Sequence, residues 1–209
     1  DLSRLNGSNG FRIDGVEPGN RSGGFVSGAG DVNGDGFDDL IIGAYGPADP
    51  FGDNTSNETY VVFGKSAGFA GIIELSTLDG SNGFRIAPPD RGDPSGRSVS
   101  GAGDVNGDGF DDLVIGAWRA DSGGDRSAGE SYVVFGKSAG FASVMELSTL
   151  DGSNGFRIDG IDTDDYSGRS VSNAGDMNGD GFDDLIIGAY GGGIAGESYV
   201  LFGRNFTGG

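Results

Sequence analysis

The sequence predicts an all-β chain made of three copies of one four-stranded antiparallel sheet, the unit of a β-propeller blade. Three observations carry this reading. The string DVNGDGFDDL at 31–40 recurs at 104–113 and, as DMNGDGFDDL, at 176–185, so a unit of 73 or 72 residues is used three times. Each copy holds four short runs rich in β-branched and aromatic residues, set between Gly, Asp, Asn and Ser, and no window sustains a helical period. The 45 glycines fall at fixed offsets beside aliphatic runs, which suits tight turns rather than a flexible polymer. A β-solenoid is the alternative, but its coils are shorter than this unit.

The second copy gives the elements in order. SVSGAG at 98–103 alternates small and apolar residues and leads into the acidic loop. DLVIGAW at 112–118 follows as an apolar strand, then a polar, Gly-rich stretch over 119–130. SYVVF at 131–135 is the third strand. FASVMELSTL at 141–150 crosses over with a helical turn, and GFRI at 155–158 is the fourth strand.

The ends of the chain are offset from the repeat. DLSRLNGSNGFRIDG at 1–15 matches 74–88 and 146–160, so the chain opens with a fourth strand. It closes with SYVLFGRNF at 198–206, which matches a third strand. The organisation predicted is a closing strand at 1–15, then units at 16–88, 89–160 and 161–209, the last lacking its fourth strand. Three blades are too few for a ring. A two-fold homodimer in which each copy lends its first strand to the other gives six blades and removes the exposed sheet edges. A piece of a longer array is the other way to satisfy the same ends.

The acidic loops place oxygen ligands at positions one, three, five and nine, with Gly at six. That pattern suits a hard cation, and Ca²⁺ above all, because Ca²⁺ takes six to eight oxygens in loose geometry. The expected ligands are Asp31, Asn33, Asp35 and Asp39 with the Phe37 carbonyl; Asp104, Asn106, Asp108 and Asp112 with the Phe110 carbonyl; and Asp176, Asn178, Asp180 and Asp184 with the Phe182 carbonyl. Asp38, Asp111 and Asp183 at position eight are expected to turn away from the ion. An EF-hand is excluded, since it needs a bidentate Glu at position twelve, where Ile42, Ile115 and Ile187 stand within apolar strands. An Asx-rich turn without metal is the plain alternative. Three loops of three acids each would crowd like charge unless neutralised, which favours three structural Ca²⁺ ions per chain.

The net charge of −19, from 32 acids and 13 bases, opposes binding to nucleic acid and to anionic membranes. No apolar run is long enough to span a bilayer as a helix, so membrane insertion is not expected. With no Cys and no His, disulfides and Cys- or His-based zinc sites are excluded. Millimolar extracellular Ca²⁺ fills even weak loops, so the loops favour an extracellular or cell-surface setting.

The acidic loops, the GAY, GAW and GAY that follow them (43–45, 116–118, 188–190), and the Phe-Gly pairs of VVFGK (61–65, 133–137) and VLFGR (200–204) resemble FG-GAP repeats. These are the blades of the integrin α-subunit propeller and of related bacterial proteins. The resemblance implies a structural ion in the loop between a blade's first two strands, and ligands on the opposite face. The chain departs from that pattern where Ser-Gly (95–96, 167–168) or Gly-Gly (23–24) replaces Phe-Gly before the first strand, and in having three units where integrins have seven blades.

The stretches that vary between copies are 14–24, 87–97 and 159–169, and 46–59, 119–130 and 191–197. Loops on a rigid scaffold commonly carry binding, so a protein or glycan ligand is expected on this face. Trp118 and Tyr190 are placed either to stack on sugar rings or to pack at strand ends. Arg91-Gly92-Asp93 forms an RGD tripeptide, and sequons start at Asn20, Asn54, Asn57 and Asn205. The expected function is a non-catalytic adhesion or protein-interaction module, with a lectin as the alternative. An enzyme is the weakest reading, because no acid pair stands apart from the metal carboxylates.

Overall fold

The computed structural model describes residues 1–46, 57–89 and 95–206. Unit one is an antiparallel sheet of β2 (Ser22–Gly30), β3 (Asp39–Tyr45), β4 (Asn57–Val62) and β6 (Gly83–Ala87), in the order β6-β4-β3-β2. Unit two repeats it with β7 (Ser98–Gly103), β8 (Asp112–Ala117), β9 (Glu130–Val134) and β11 (Gly155–Asp159). Unit three has β12 (Ser167–Gly175), β13 (Asp184–Ala189) and β14 (Glu197–Leu201) among the described residues. The register is the same throughout: Ile42 faces Tyr60, Ile115 faces Tyr132 and Ile187 faces Tyr199.

The crossover differs from the expectation of four strands per unit. A three-residue strand in each full unit, β5 (Ile72–Glu74) and β10 (Val144–Glu146), runs into a single 3-10 turn. It pairs in parallel with the outer strand of the preceding unit: β5 with β1 (Arg12–Asp14), and β10 with β6. Each unit therefore fastens the outer edge of the one before it. A ring stack closes each fastening, Phe69 on Phe11 at 4.4 Å and Phe141 on Phe84 at 4.3 Å. Three residues are too few to carry an alternating pattern, so this pairing leaves no signature of its own in the sequence.

The sheets pack face to face because their central strands are apolar on both sides. Ile41 and Val61 of unit one meet Val99, Leu113, Ile115 and Val134 of unit two in one buried cluster. Val114 and Val133 of unit two meet Val171, Leu185 and Ile187 of unit three in the next. A third cluster, Ile42, Tyr60 and Val62, is covered by Ile13 and Ile73. Gly43 and Gly116 let the neighbouring backbone approach, since a Cβ there would lie 2.0 Å from the carbonyl oxygens of Gly96 and Gly168.

Candidate metal centre

Each acidic loop joins the first strand of a unit to the second and is shaped by its own carboxylates. In loop two, Asp104 accepts from the amides of Gly107 (2.7 Å), Asp108 (3.0 Å) and Gly109 (2.9 Å). Asn106 Oδ1 accepts from Asp108 N at 2.8 Å, and Asp108 Oδ1 accepts from Phe110 N at 3.0 Å. Gly109, at φ +91°, makes the sharp turn that brings these amides inward. Loops one and three repeat the arrangement: Asp31 accepts from Gly36 N at 2.8 Å and Asp176 from Gly181 N at 2.9 Å. The amides, that of Gly181 first, hold the Asp176 carboxyl below the ordinary carboxylate range.

The acid at position nine behaves differently from those at one and five. Asp39, Asp112 and Asp184 are buried. Asp112 accepts from Val105 N at 3.0 Å and from Gly136 N at 2.9 Å, so it ties the start of the loop to the Phe-Gly glycine after the third strand. Asp39 makes the same clasp with Val32 and Gly64, and Asp184 with Met177 and Gly203. Burial is the largest influence on the Asp39 and Asp112 carboxyls. It pushes Asp39 up to about 6 and Asp112 up to about 8 against the backbone hydrogen bonds, and the neighbouring loop acids push the same way.

The clasp makes a prediction. Asp112→Ala strands two buried amides, each costing about 1–3 kcal/mol, whereas Asp108→Ala removes an exposed carboxylate that only shapes the turn. Urea unfolding in a chelator should therefore show Asp112→Ala less stable by about 3 kcal/mol and Asp108→Ala changed far less.

The position-eight aspartates, expected to turn away from the ion, make contacts between units in loops two and three. Asp111 accepts from Asp31 N at 2.8 Å and Asp183 accepts from Asp104 N at 2.9 Å, so each loop grips the loop of the preceding unit. The Phe110 and Phe182 rings press against Gly34 and Gly107, where a Cβ would sit 2.3 Å from the ring. The signal was present as the identical Asp and Phe in all three copies. Reading it required knowing that consecutive loops touch.

The donors in each loop fit Ca²⁺ chemically: carboxylates, one amide oxygen and a backbone carbonyl, all hard oxygens. Among the described residues no three acidic side chains gather closely enough to hold an ion by themselves. The asparagine and the carbonyl are thus needed to complete any site.

At the opposite end of the sheets, Trp118 is buried, as strand-end packing requires, and Tyr190 is exposed. Asn20 and Asn57 are both buried, which closes those sequons in the folded chain. The RGD tripeptide and the Asn54 sequon lie outside the described residues, as does Thr207 of the Asn205 sequon. No helix is long and apolar enough to cross a membrane among the described residues.

The FG-GAP repeat family matches residues 23–62, 95–134 and 167–201, more than half of the chain. The chain belongs to the FG-GAP repeat family. Each FG-GAP match opens at a unit's first strand and ends in its third, with the acidic loop between. The chain is 34% identical over 169 residues to "Integrin alpha pat-2" of Caenorhabditis elegans, covering 77% of the chain and 12% of that protein. It is 30% identical over 166 residues to "Integrin alpha-4" of Xenopus laevis, covering 78% and 14%. It is also 32% identical over 167 residues to "Phosphatidylinositol-glycan-specific phospholipase D" of Mus musculus, covering 78% and 18%. The chain thus spans less than a fifth of the length of these relatives.

Proposed function

We propose that this chain supplies three blades of a calcium-stabilised, integrin-like β-propeller, a non-catalytic adhesion or protein-interaction module at the cell surface or outside cells, and that two copies close a six-bladed ring. The ligands of each Ca²⁺ are those expected from the sequence, from Asp31, Asn33, Asp35, the Phe37 carbonyl and Asp39 through their equivalents in loops two and three. Resemblance to integrin α chains supports the module. The exposed Val26 and Phe202, whose equivalents are buried between units, support the ring.

Those faces are the two halves of a contact that the chain makes twice internally. Val99 and Val171 are buried between units, while Val26, their equivalent on unit one, is 65% exposed. Phe63 and Phe135 are 6% exposed, while Phe202 on unit three is 53% exposed. Gly34 and Gly107 each receive the ring of the next loop's Phe, while nothing lies within 4 Å of a Cβ on Gly179, and Phe37 has no preceding loop to press on. Among the described residues unit three shows three strands, β12-β13-β14, and β1 pairs with β5. Gly10 already holds φ +135°, close to Gly83 (+139°) and Gly155 (+140°), which lie against strand three of their own units. By the β4–β6 register, Tyr199 of one copy would face Arg12 of the other, as Tyr60 faces Arg85. Glu197 would then gain the arginine that Glu58 has in Arg85 and Glu130 has in Arg157. A second copy matches every one of these features because the repeat is its own complement.

Light scattering in Ca²⁺ and after chelation tests this. The expected mass in Ca²⁺ is that of two chains. A monomer in Ca²⁺ would sink the closed homodimer.

A further inference from the structure

We propose that the end of the molecule opposite the acidic loops holds an anion site, centred on Arg97, Arg169 and Arg119 around Trp118, that takes a single carboxylate carried beside an aromatic or apolar group, as on a peptide segment. The proposal rests on the reading of the chain as an interaction module and names the chemistry of its partner.

The cluster is built from equivalent positions of neighbouring units. Arg97 and Arg169 precede or lie in the first strands β7 and β12, which touch through the Val171 amide donating to Ser98 Oγ at 2.8 Å. Their guanidinium carbons lie 4.6 and 5.1 Å from the Trp118 ring centroid, and that of Arg119 lies at 4.2 Å. Arg97 also sits 5.5 Å from the Tyr45 ring, and Arg169 5.9 Å from Tyr190. Every pair of these cations is therefore within about 10 Å, roughly one Debye length at 0.1 M salt, and each raises the cost of the others.

In a chain with 32 acids and 13 bases, three converging arginines should be the easiest groups to neutralise. Among the described residues, none of the three pairs with a carboxylate, whereas Arg12, Arg85, Arg126 and Arg157 all do. The nearby Asp164 is engaged by Arg126 at 3.7 Å. The indole N–H of Trp118 is buried and has no acceptor among the described residues. Aromatic faces hold the guanidiniums in place but do not use their in-plane donors, which remain available for a carboxylate.

The backbone beside the cluster is held in costly conformations. Ser127, Asp164 and Tyr166 have φ of +51°, +64° and +56°. They are fixed by hydrogen bonds between the two loops, Tyr166 N to Ser127 O at 3.1 Å and Asp164 N to Arg126 O at 2.9 Å. This places the Tyr166 ring 5.0 Å from Tyr190, stacked, and 5.4 Å from Trp118. Tyr190 is 58% exposed, so an apolar surface adjoins the arginines. A polyanion fits poorly, because a chain of charge −19 repels every part of it beyond this one spot. One carboxylate on an apolar carrier meets the cations without that penalty.

Trp118 is the only tryptophan of the chain, so its fluorescence reports the site directly. The probe is N-acetylphenylalanine, with its neutral amide and heparin as the comparisons, titrated into the full chain in Ca²⁺. The acid should give a saturable change with a Kd of the order of 1 mM, the amide none, and heparin a weaker response than the acid. Arg97→Gln with Arg169→Gln should weaken the acid at least about tenfold, and so should Arg119→Gln, which alters only an exposed side chain. Circular dichroism melts identify any variant that fails to fold. No saturation by about 20 mM acid, an equal response to the amide, tighter binding of heparin, or full binding by all folded variants would each overturn the site. A calcium-dependent dimer that fails this titration sinks the anion site alone, while a monomer that passes it sinks the ring alone.

Discussion

Chelation of Ca²⁺ should lower the melting temperature by about 5–10 °C for every loop emptied. A ligand present at a hundred times its Kd stabilises by about 2.7 kcal/mol, and for a chain of this length 1 kcal/mol moves Tm by about 2–4 °C. Each loop brings carboxylates at positions one and five onto one turn, where backbone amides and the position-three Asn side-chain amide oppose their repulsion. The position-nine clasp does not depend on the ion, because both oxygens of Asp112 are held by buried or part-buried amides. The apo chain should consequently stay folded and melt at a lower temperature. Asp111 and Asp183 tie consecutive loops together, so the melt should remain a single transition. Mg²⁺ should restore less of the loss, since it demands octahedral geometry and gives up water reluctantly. Calorimetry with Ca²⁺, Mg²⁺ and chelator decides it, and equal Tm values in Ca²⁺ and chelator would rule out structural calcium.

Removing residues 1–15 should convert the dimer to a monomer. In the proposed ring β1 is the outer strand of the other copy's third sheet, where it covers Val200 and Phe202, now 43% and 53% exposed. It also supplies Arg12 to Glu197 and the Phe11 ring to the neighbourhood of Phe202. Exchange of such a strand joins the copies by backbone hydrogen bonds as well as by apolar area, so its loss leaves both closing contacts without their outer layer. Within the chain β1 pairs with the three residues of β5 and covers one edge of unit one with Ile13 and Phe11, so the remaining sheets should keep their strands at some cost in stability. Sedimentation of the truncated chain in Ca²⁺ is the measurement. A truncated chain that stays dimeric would show that the copies join through some other surface.

The strands, their order within a unit and the position of the loops were legible because the repeat shows each element three times. A run such as DLVIGAW between Gly-rich turns has one reading when its copies at 39–45 and 184–190 have the same form. Predicted and observed strands agree to within a residue or so, as with SVSGAG at Ser98–Gly103. The short parallel strands β5 and β10 were not legible, because three residues carry no period and their partners lie in another unit.

The same division runs through the loops. Spacing alone marked Asp104, Asn106, Asp108 and Asp112 as one set of oxygen donors, since alternate positions in a Gly-bearing turn can meet one point. Only the tertiary structure separates them, because burial and distant amides such as that of Gly136 decide which oxygens are already used. It likewise gives Asp111 its task, through an amide 80 residues away. The convergence of Arg97, Arg119 and Arg169 on one indole is invisible in the sequence for the same reason. Local order follows from neighbours along the chain, while contacts between units depend on how whole sheets stack.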